Sequence, residues 1–404
     1  MSPRLFTVGF LFFVSILILV CFGFIPASAQ EDEGFDQFAD IWDTDFSRTS
    51  VTADEILFGG PPPDGIPPYY PEGYIYPQNA PRNGGQPPRF YVEYTDFANT
   101  DSYLPDEQQV IVVEINGDVR AYPLLLLNNH EIVNTEIGGV PVAVTFCPLC
   151  NASIVYERQV NDQVLHFGVS GLLRNSDLIM WDHETQSWWQ QFTGEAIVGE
   201  LTGTQLVNVP SVVVSWGDFK AEHPNGKVLA NQTGSRVDLV SYAGYDAEGT
   251  AFLFRGEVDD RLFTTERVLG YFGAEGAIAY PFEWLAATGV VNDRIGGDPV
   301  VIFWQPGAVS LFTNTMETGS AAMYSATLAD DLELTFISEG DVIKDEQTGS
   351  TWNVFGRATA GELADTQLEL ILSYPHFWFA WAAFRPDTLV WEPGLIADAA
   401  WQNP

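Results

Sequence analysis

The chain has 404 residues, of which 46% are hydrophobic, enough for two domains or for one large β-rich domain built of two halves. Seventeen Lys and Arg face 54 Asp and Glu, a formal charge of −37 that repels phosphate backbones and anionic lipid headgroups. Nucleic acid is thereby excluded as a partner, and the sequence names no protein partner.

In chain order, Met1 to Gln30 carries Arg4, an apolar stretch from Leu5 to Ile25, then Pro26 and the small-x-small run Ala27-Ser28-Ala29. This pattern predicts a secretory signal peptide cut after Ala29, or, since the apolar stretch is long, an uncleaved anchor. Either form places the remainder outside the cytoplasm, and the membrane is met only through this segment. Residues 30–106 are rich in Pro, Gly, Tyr and acidic residues and predict an acidic linker and a coil that wraps the core, with regular structure starting near Gln109. Val110–Ile115, Asn116-Gly117 and Val119–Tyr122 predict strand, type I′ turn and strand, followed by a short helix before His130.

From there the chain repeats itself. Ala121-Tyr122-Pro123 returns as Ala279-Tyr280-Pro281, Val133-Asn134 as Val291-Asn292 and Ile137-Gly138-Gly139 as Ile295-Gly296-Gly297, each 158 residues on. Asp182, Thr185 and Trp189 return as Asp345, Thr348 and Trp352, an offset of 163. The prediction is a mainly β, β-rich α+β protein of two homologous antiparallel units packed about a pseudo-twofold axis. Its units are 107–230 and 261–392, with a connector at 231–260 and a tail at 393–404.

The chemistry centres on the turn Cys147-Pro148-Leu149-Cys150; the one other cysteine, Cys21, lies in the leader. At an offset of 158 this turn faces Gln305-Pro306-Gly307-Ala308, which predicts a turn kept without its thiols and a site confined to the first unit. Two thiols three residues apart chelate one soft metal or close a small disulfide. A disulfide over so short a loop limits little chain entropy, and a thioredoxin-like pair needs a helix N-terminus where the residues after Cys150 read as strand. The metal reading takes Cys147, Cys150, His130 and Met180 as ligands, with copper(I) first and zinc second, and Glu131 beside His130 as the carboxylate that orients the imidazole. Ser170, Arg174, Asn175 and Asp177 are candidate cofactor-binding residues, because they gather polar groups between apolar flanks. His376 lies in an aromatic block expected to seal the contact between units. Three classes stay open: a metal-binding, possibly redox-active protein, a thiol–disulfide redox protein, and a non-catalytic interaction module with a structural disulfide. No catalytic residue is assigned.

His130-Glu-Ile-Val-Asn134, the Cys-Pro-Leu-Cys turn, Phe167-Gly-Val-Ser-Gly171 with Asn175-Ser-Asp177 and Met180, and Phe377-Trp-Phe-Ala-Trp381 together resemble the bacterial domain-of-unknown-function 3179 family. The resemblance runs from about Val110 to Trp391 and implies no particular activity. The chain departs from the pattern at Asn129, where a tryptophan is expected, and at Asn151, where glycine is usual.

Overall fold

Alternation of apolar and polar residues over short runs, broken by Gly, Asn and Asp, yields strands rather than helices, and the chain is 39% strand and 13% helix. The structure is a computed structural model that describes residues 34–78, 81, 90–232, 242–329 and 331–402. The expected leader and cleavage site, with Cys21, lie outside the described residues.

Regular structure starts earlier than Gln109. A one-turn helix at Phe35–Phe38 is followed by β1 (Leu57–Phe58), β2 (Tyr94–Thr95) and α1 (Phe97–Asp101). These short pieces persist because they pack on a sheet: β1 pairs with the strand that follows Phe167, and Phe38 and Trp42 bury their rings against Trp181 and Trp188. Then come β3 (Gln109–Ile115), β4 (Asp118–Pro123), α2 (Leu124–Leu127), β5 (Ile132–Ile137), β6 (Val140–Cys147) and β7 (Ala152–Glu157). A small pair, β8 (Gln159–Val160) and β9 (Gln163–Val164), precedes β10 (Phe167–Arg174), β11 (Asp177–Asp182), β12 (Trp188–Gln190) and β13 (Ala196–Val198). The half closes with β14 (Asn208–Val209), β15 (Val212–Ser215), α3 (Trp216–Glu222) and β16 (Lys227–Leu229).

After α4 (Tyr245–Glu248) the second half runs through β17 (Arg267–Gly273), β18 (Gly276–Pro281), α5 (Phe282–Thr288), β19 (Val290–Ile295), β20 (Asp298–Gln305) and β21 (Ser320–Ser325). It continues with β22 (Phe336–Glu339), β23 (Val342–Asp345), β24 (Thr351–Trp352), β25 (Ala358–Ala360), β26 (Leu370–Ile371), β27 (Tyr374–Phe377), α6 (Trp378–Phe384), β28 (Leu389–Val390) and α7 (Ala397–Gln402).

Strand order recurs between the halves. The order β14, β7, β6, β5 answers to β26, β21, β20, β19; β10 to β13 answer to β22 to β25; and β15, β3, β4, β16 answer to β27, β17, β18, β28. Local hydrogen bonds recur with it. Asn134 exchanges two bonds with the backbone of Phe167, both 2.8 Å, and Asn292 does the same with Phe336, also at 2.8 Å. The indole Nε1 of Trp189 donates to Asp182 at 2.8 Å and that of Trp352 to Asp345 at 3.0 Å, and in each half a threonine amide caps the same carboxylate at 2.6 Å.

The halves share one hydrophobic core. In their contact β7 of the first half lies against β27 of the second, and β21 lies against β15, so the contact is reciprocal. There the amide of Phe377 donates to the carbonyl of Cys150 at 2.8 Å, and the ring of His376 packs on Phe192 with centroids 4.4 Å apart.

Candidate metal centre

β6 is buried from Val142 to its end at Cys147, and β7 resumes at Ala152, the register partner of Cys147. The chain therefore reverses through Pro148, Leu149, Cys150 and Asn151. Proline supplies the fixed φ that opens such a turn, and Asn151 closes it at φ 49°, left-handed backbone that asparagine and glycine accept most readily. This is the physical reason that asparagine serves where glycine is usual. Both thiols are buried and free.

The facing group comes from the hairpin of β10 and β11. Asn175 (φ 52°) and Ser176 (φ 66°) are the two successive left-handed residues of a tight two-residue turn, with Arg174 and Asp177 as the closing pair. That turn presents Asp177 to the thiols: Cys147 Sγ, Cys150 Sγ and a carboxylate oxygen of Asp177 lie within 4.8 Å of one another. Asp177 Oδ2 accepts from Gln190 Nε2 at 2.7 Å and from the amide of Phe192 at 2.9 Å. Its Oδ1 is buried and receives no N–H or O–H among the described residues. The connector covers this corner, since the Ser176 hydroxyl donates to the carbonyl of Phe252, whose amide in turn donates to the Tyr245 hydroxyl at 3.2 Å.

Glu131, also buried, completes the acidic surroundings, in left-handed backbone at φ 57°. Burial, with the neighbouring charge of Asp177 adding to it, pushes the Glu131 carboxyl up to about 8. Burial likewise pushes Asp177 up to about 7, against the hydrogen bonds from Gln190 and Phe192 that favour its anion. Both thiols are raised by burial, Cys150 strongly. None of the leading influences on these four groups is a cationic side chain. In the metal-free chain burial thus works against the thiolate form of both cysteines.

Of the sequence-predicted ligands, the structure brings together Cys147 and Cys150 and joins to them Asp177, expected as a cofactor-binding residue. His130 is a correction: it is absent from the thiol group, its Nδ1 bonds to the carbonyl of Pro67 at 2.7 Å, and its ring sits between Tyr69 and Phe90. Glu131 accordingly does not orient that imidazole; it belongs to the electrostatic surroundings of Cys147 and Asp177. Met180 is a second correction. It stands three positions from Asp177 on β11, and strand alternation turns it to the other face, between Val169 and Trp189 on the adjacent strands.

The remaining polar candidates have structural tasks. Ser170 donates to the carbonyl of Ile179 and accepts from the amide of Leu172 at 3.0 Å, holding a bulge in β10 where the register shifts. Arg174 pairs with Glu55 at 2.7 Å, and Asn175 builds the turn. Gln190 escaped the sequence reading, although its amide in the otherwise apolar run Trp188-Trp189 was a visible signal of a buried polar partner.

The second half also corrects the expected control. Gln305 ends β20 as Cys147 ends β6, but β20 and β21 are joined by fourteen residues, 306–319, where β6 and β7 are joined by four, 148–151. The turn is therefore not kept without its thiols; it is replaced by a long loop. The hairpin of β22 and β23 is also shorter than that of β10 and β11, so position 340, equivalent to 177 at the offset of 163, is a glycine within its turn.

No curated protein and no solved structure matches the chain. A family model described as "Protein of unknown function (DUF3179)" matches residues 86–388, three quarters of its length, and the chain belongs to that family.

Proposed function

We propose that Cys147, Cys150 and Asp177 form the metal centre of an extracytoplasmic protein, loaded with a soft transition-metal ion. One observation carries this reading: two sulfurs and a carboxylate oxygen converge within 4.8 Å in the buried interior, with one further carboxyl, Glu131, in the same electrostatic surroundings. Buried acidic groups without a cation are costly to ionise, and a metal ion supplies the missing positive charge. Two thiolates with carboxylate oxygen suit zinc, which accepts sulfur and oxygen together in a four-coordinate site. Copper(I), ranked first from the sequence, was to take its further ligand from His130 or Met180, and neither joins the thiol group, whereas a carboxylate oxygen does; we therefore put zinc first and copper second. The leader sequence supports the extracytoplasmic setting.

Metal analysis of the full chain by mass spectrometry, after anaerobic purification and loading with Zn(II) or Cu(I), tests the proposal. One zinc per chain is expected, lost in the Cys147→Ser/Cys150→Ser double variant and bound at least tenfold more weakly by Asp177→Asn. Because the thiols must lose protons to bind, affinity should rise as pH rises from 6 to 9. Wild-type protein that takes up no metal, or a double variant that binds as the wild type does, would overturn the assignment.

A further inference from the structure

We propose that the cleft between the two halves, walled by Phe192, Phe272, Tyr374, His376 and Trp381 and holding the guanidinium of Arg385, binds a small aromatic carboxylate. This site is separate from the thiol group and does not depend on a metal there.

The cleft encloses about 460 Å³, within the range of small-molecule pockets of roughly 300–1,000 Å³. Its aromatic walls are packed on one another. The ring of Phe192 lies 4.4 Å from His376 and 4.4 Å from Phe384, and His376 stacks on Trp381 at 5.4 Å. Gly270 lets the indole of Trp381 lie directly on β17, since a Cβ there would meet the ring at 2.2 Å.

Two of its buried nitrogens lack partners among the described residues. His376 is 1% exposed and its Nδ1 has no hydrogen-bond partner among the described residues, and the same holds for the buried Nε of Arg385. Native interiors rarely leave such polar atoms unused. Arg385 spends one nitrogen on the carbonyl of Phe384 at 2.9 Å and lies 3.9 Å from the centroid of Phe272. No carboxylate pairs with it among the described residues, in a chain with 54 acidic residues against 17 basic ones. Burial, reinforced by the charge of Arg385, pushes His376 down to about 3, so its imidazole is neutral and the cleft's positive charge rests on Arg385 alone. Glu195, which also lines the cleft, disfavours a second negative charge. A planar ring between aromatic walls and a single carboxylate on Arg385 fit these groups together.

Isothermal titration calorimetry of the full chain with benzoate, acetate and benzyl alcohol tests this. Benzoate should bind saturably, and acetate and benzyl alcohol at least tenfold more weakly. Arg385→Gln should weaken benzoate binding at least tenfold. Thr193→Trp, a half-buried position on the cleft wall, should block it by filling the space, and it decides the matter if Arg385→Gln fails to fold. Absence of saturable benzoate binding, equal binding of acetate or benzyl alcohol, or retained binding in the folded variants would overturn the proposal.

Discussion

The two halves share their internal knots but differ at the ends of their central strands. In both, an aspartate at the end of a hairpin (Asp182, Asp345) takes a tryptophan N–H, a threonine amide and a threonine hydroxyl. Burial dominates at Asp182 and raises its carboxyl to about 6; at Asp345 burial also raises the carboxyl, but the combined bonds from Trp352 and Thr348 outweigh it and hold it below the usual range. At the strand ends, by contrast, the first half has a four-residue thiol turn and a long hairpin bearing Asp177, and the second has a fourteen-residue loop and a short hairpin. One scaffold thus tolerates two treatments of the same corner, and among the described residues only one of them gathers two thiols and a carboxylate.

The strongest way to break this comparison is at the shared tryptophans. Trp189→Ala and Trp352→Ala should each cost about 3–5 kcal/mol in chemical denaturation, since both side chains are buried and both donate to a carboxylate. A near-neutral result in one half alone would mean that the knots are not equivalent in energy.

The paired asparagines sharpen it. Asn134 is fully buried and also donates to the carbonyl of Tyr69 at 3.2 Å, whereas Asn292 is exposed. Replacing Asn134 by alanine leaves several backbone groups unsatisfied and should cost about 2–3 kcal/mol, while Asn292→Ala, where water substitutes, should cost less than about 1 kcal/mol. Equal costs would show that burial does not separate the halves.

A smaller effect follows from the acidic groups of the first half. Asp177 and Glu131 have folded-state pKa values raised to about 7 and about 8, above the ordinary carboxylate values of about 4 that the unfolded chain shows. Between those limits these two groups bind more protons in the folded chain than in the unfolded one, so their contribution to the stability of the metal-free protein is full below about pH 4 and is lost as pH rises to about 8. Asp177→Asn should flatten this slope, by on the order of 1–2 kcal/mol between pH 5 and 8. Urea melts at several pH values check it, and a slope that is unchanged in the variant would remove Asp177 as its source. The smallest change is expected from Thr185→Val and Thr348→Val. Each loses one hydroxyl that bridges an aspartate and a serine and should cost about 0.5–1.5 kcal/mol, to a similar extent in the two halves.

Periodicity made most of the strands legible, because a half-buried strand writes its alternation into consecutive residues: Ala152–Glu157 is a strand over its whole expected length, and Asn116-Gly117 has the two positive φ angles that its turn type requires. The small early elements were not legible, since a two-residue strand such as Leu57–Phe58 has no period and exists only through its pairing with β10.

The candidate site divides along the same line. Two thiols at Cys147 and Cys150 are a local fact, so sequence by itself determined where the sulfurs are and that the first half differs from the second. Which third residue meets them depends on how hairpin and turn are brought together across the 26 residues between Cys150 and Asp177, and spacing carries no record of that. His130 does not join the site, because in the turn between α2 and β5 its ring takes a carbonyl and two aromatic neighbours. Met180 was excluded by the two-residue period of β11, which turns Asp177 and Met180 to opposite faces. Tertiary packing alone decided that carboxylates rather than imidazole and thioether surround the thiols, because convergence of side chains is a property of how sheets pack and not of any single segment.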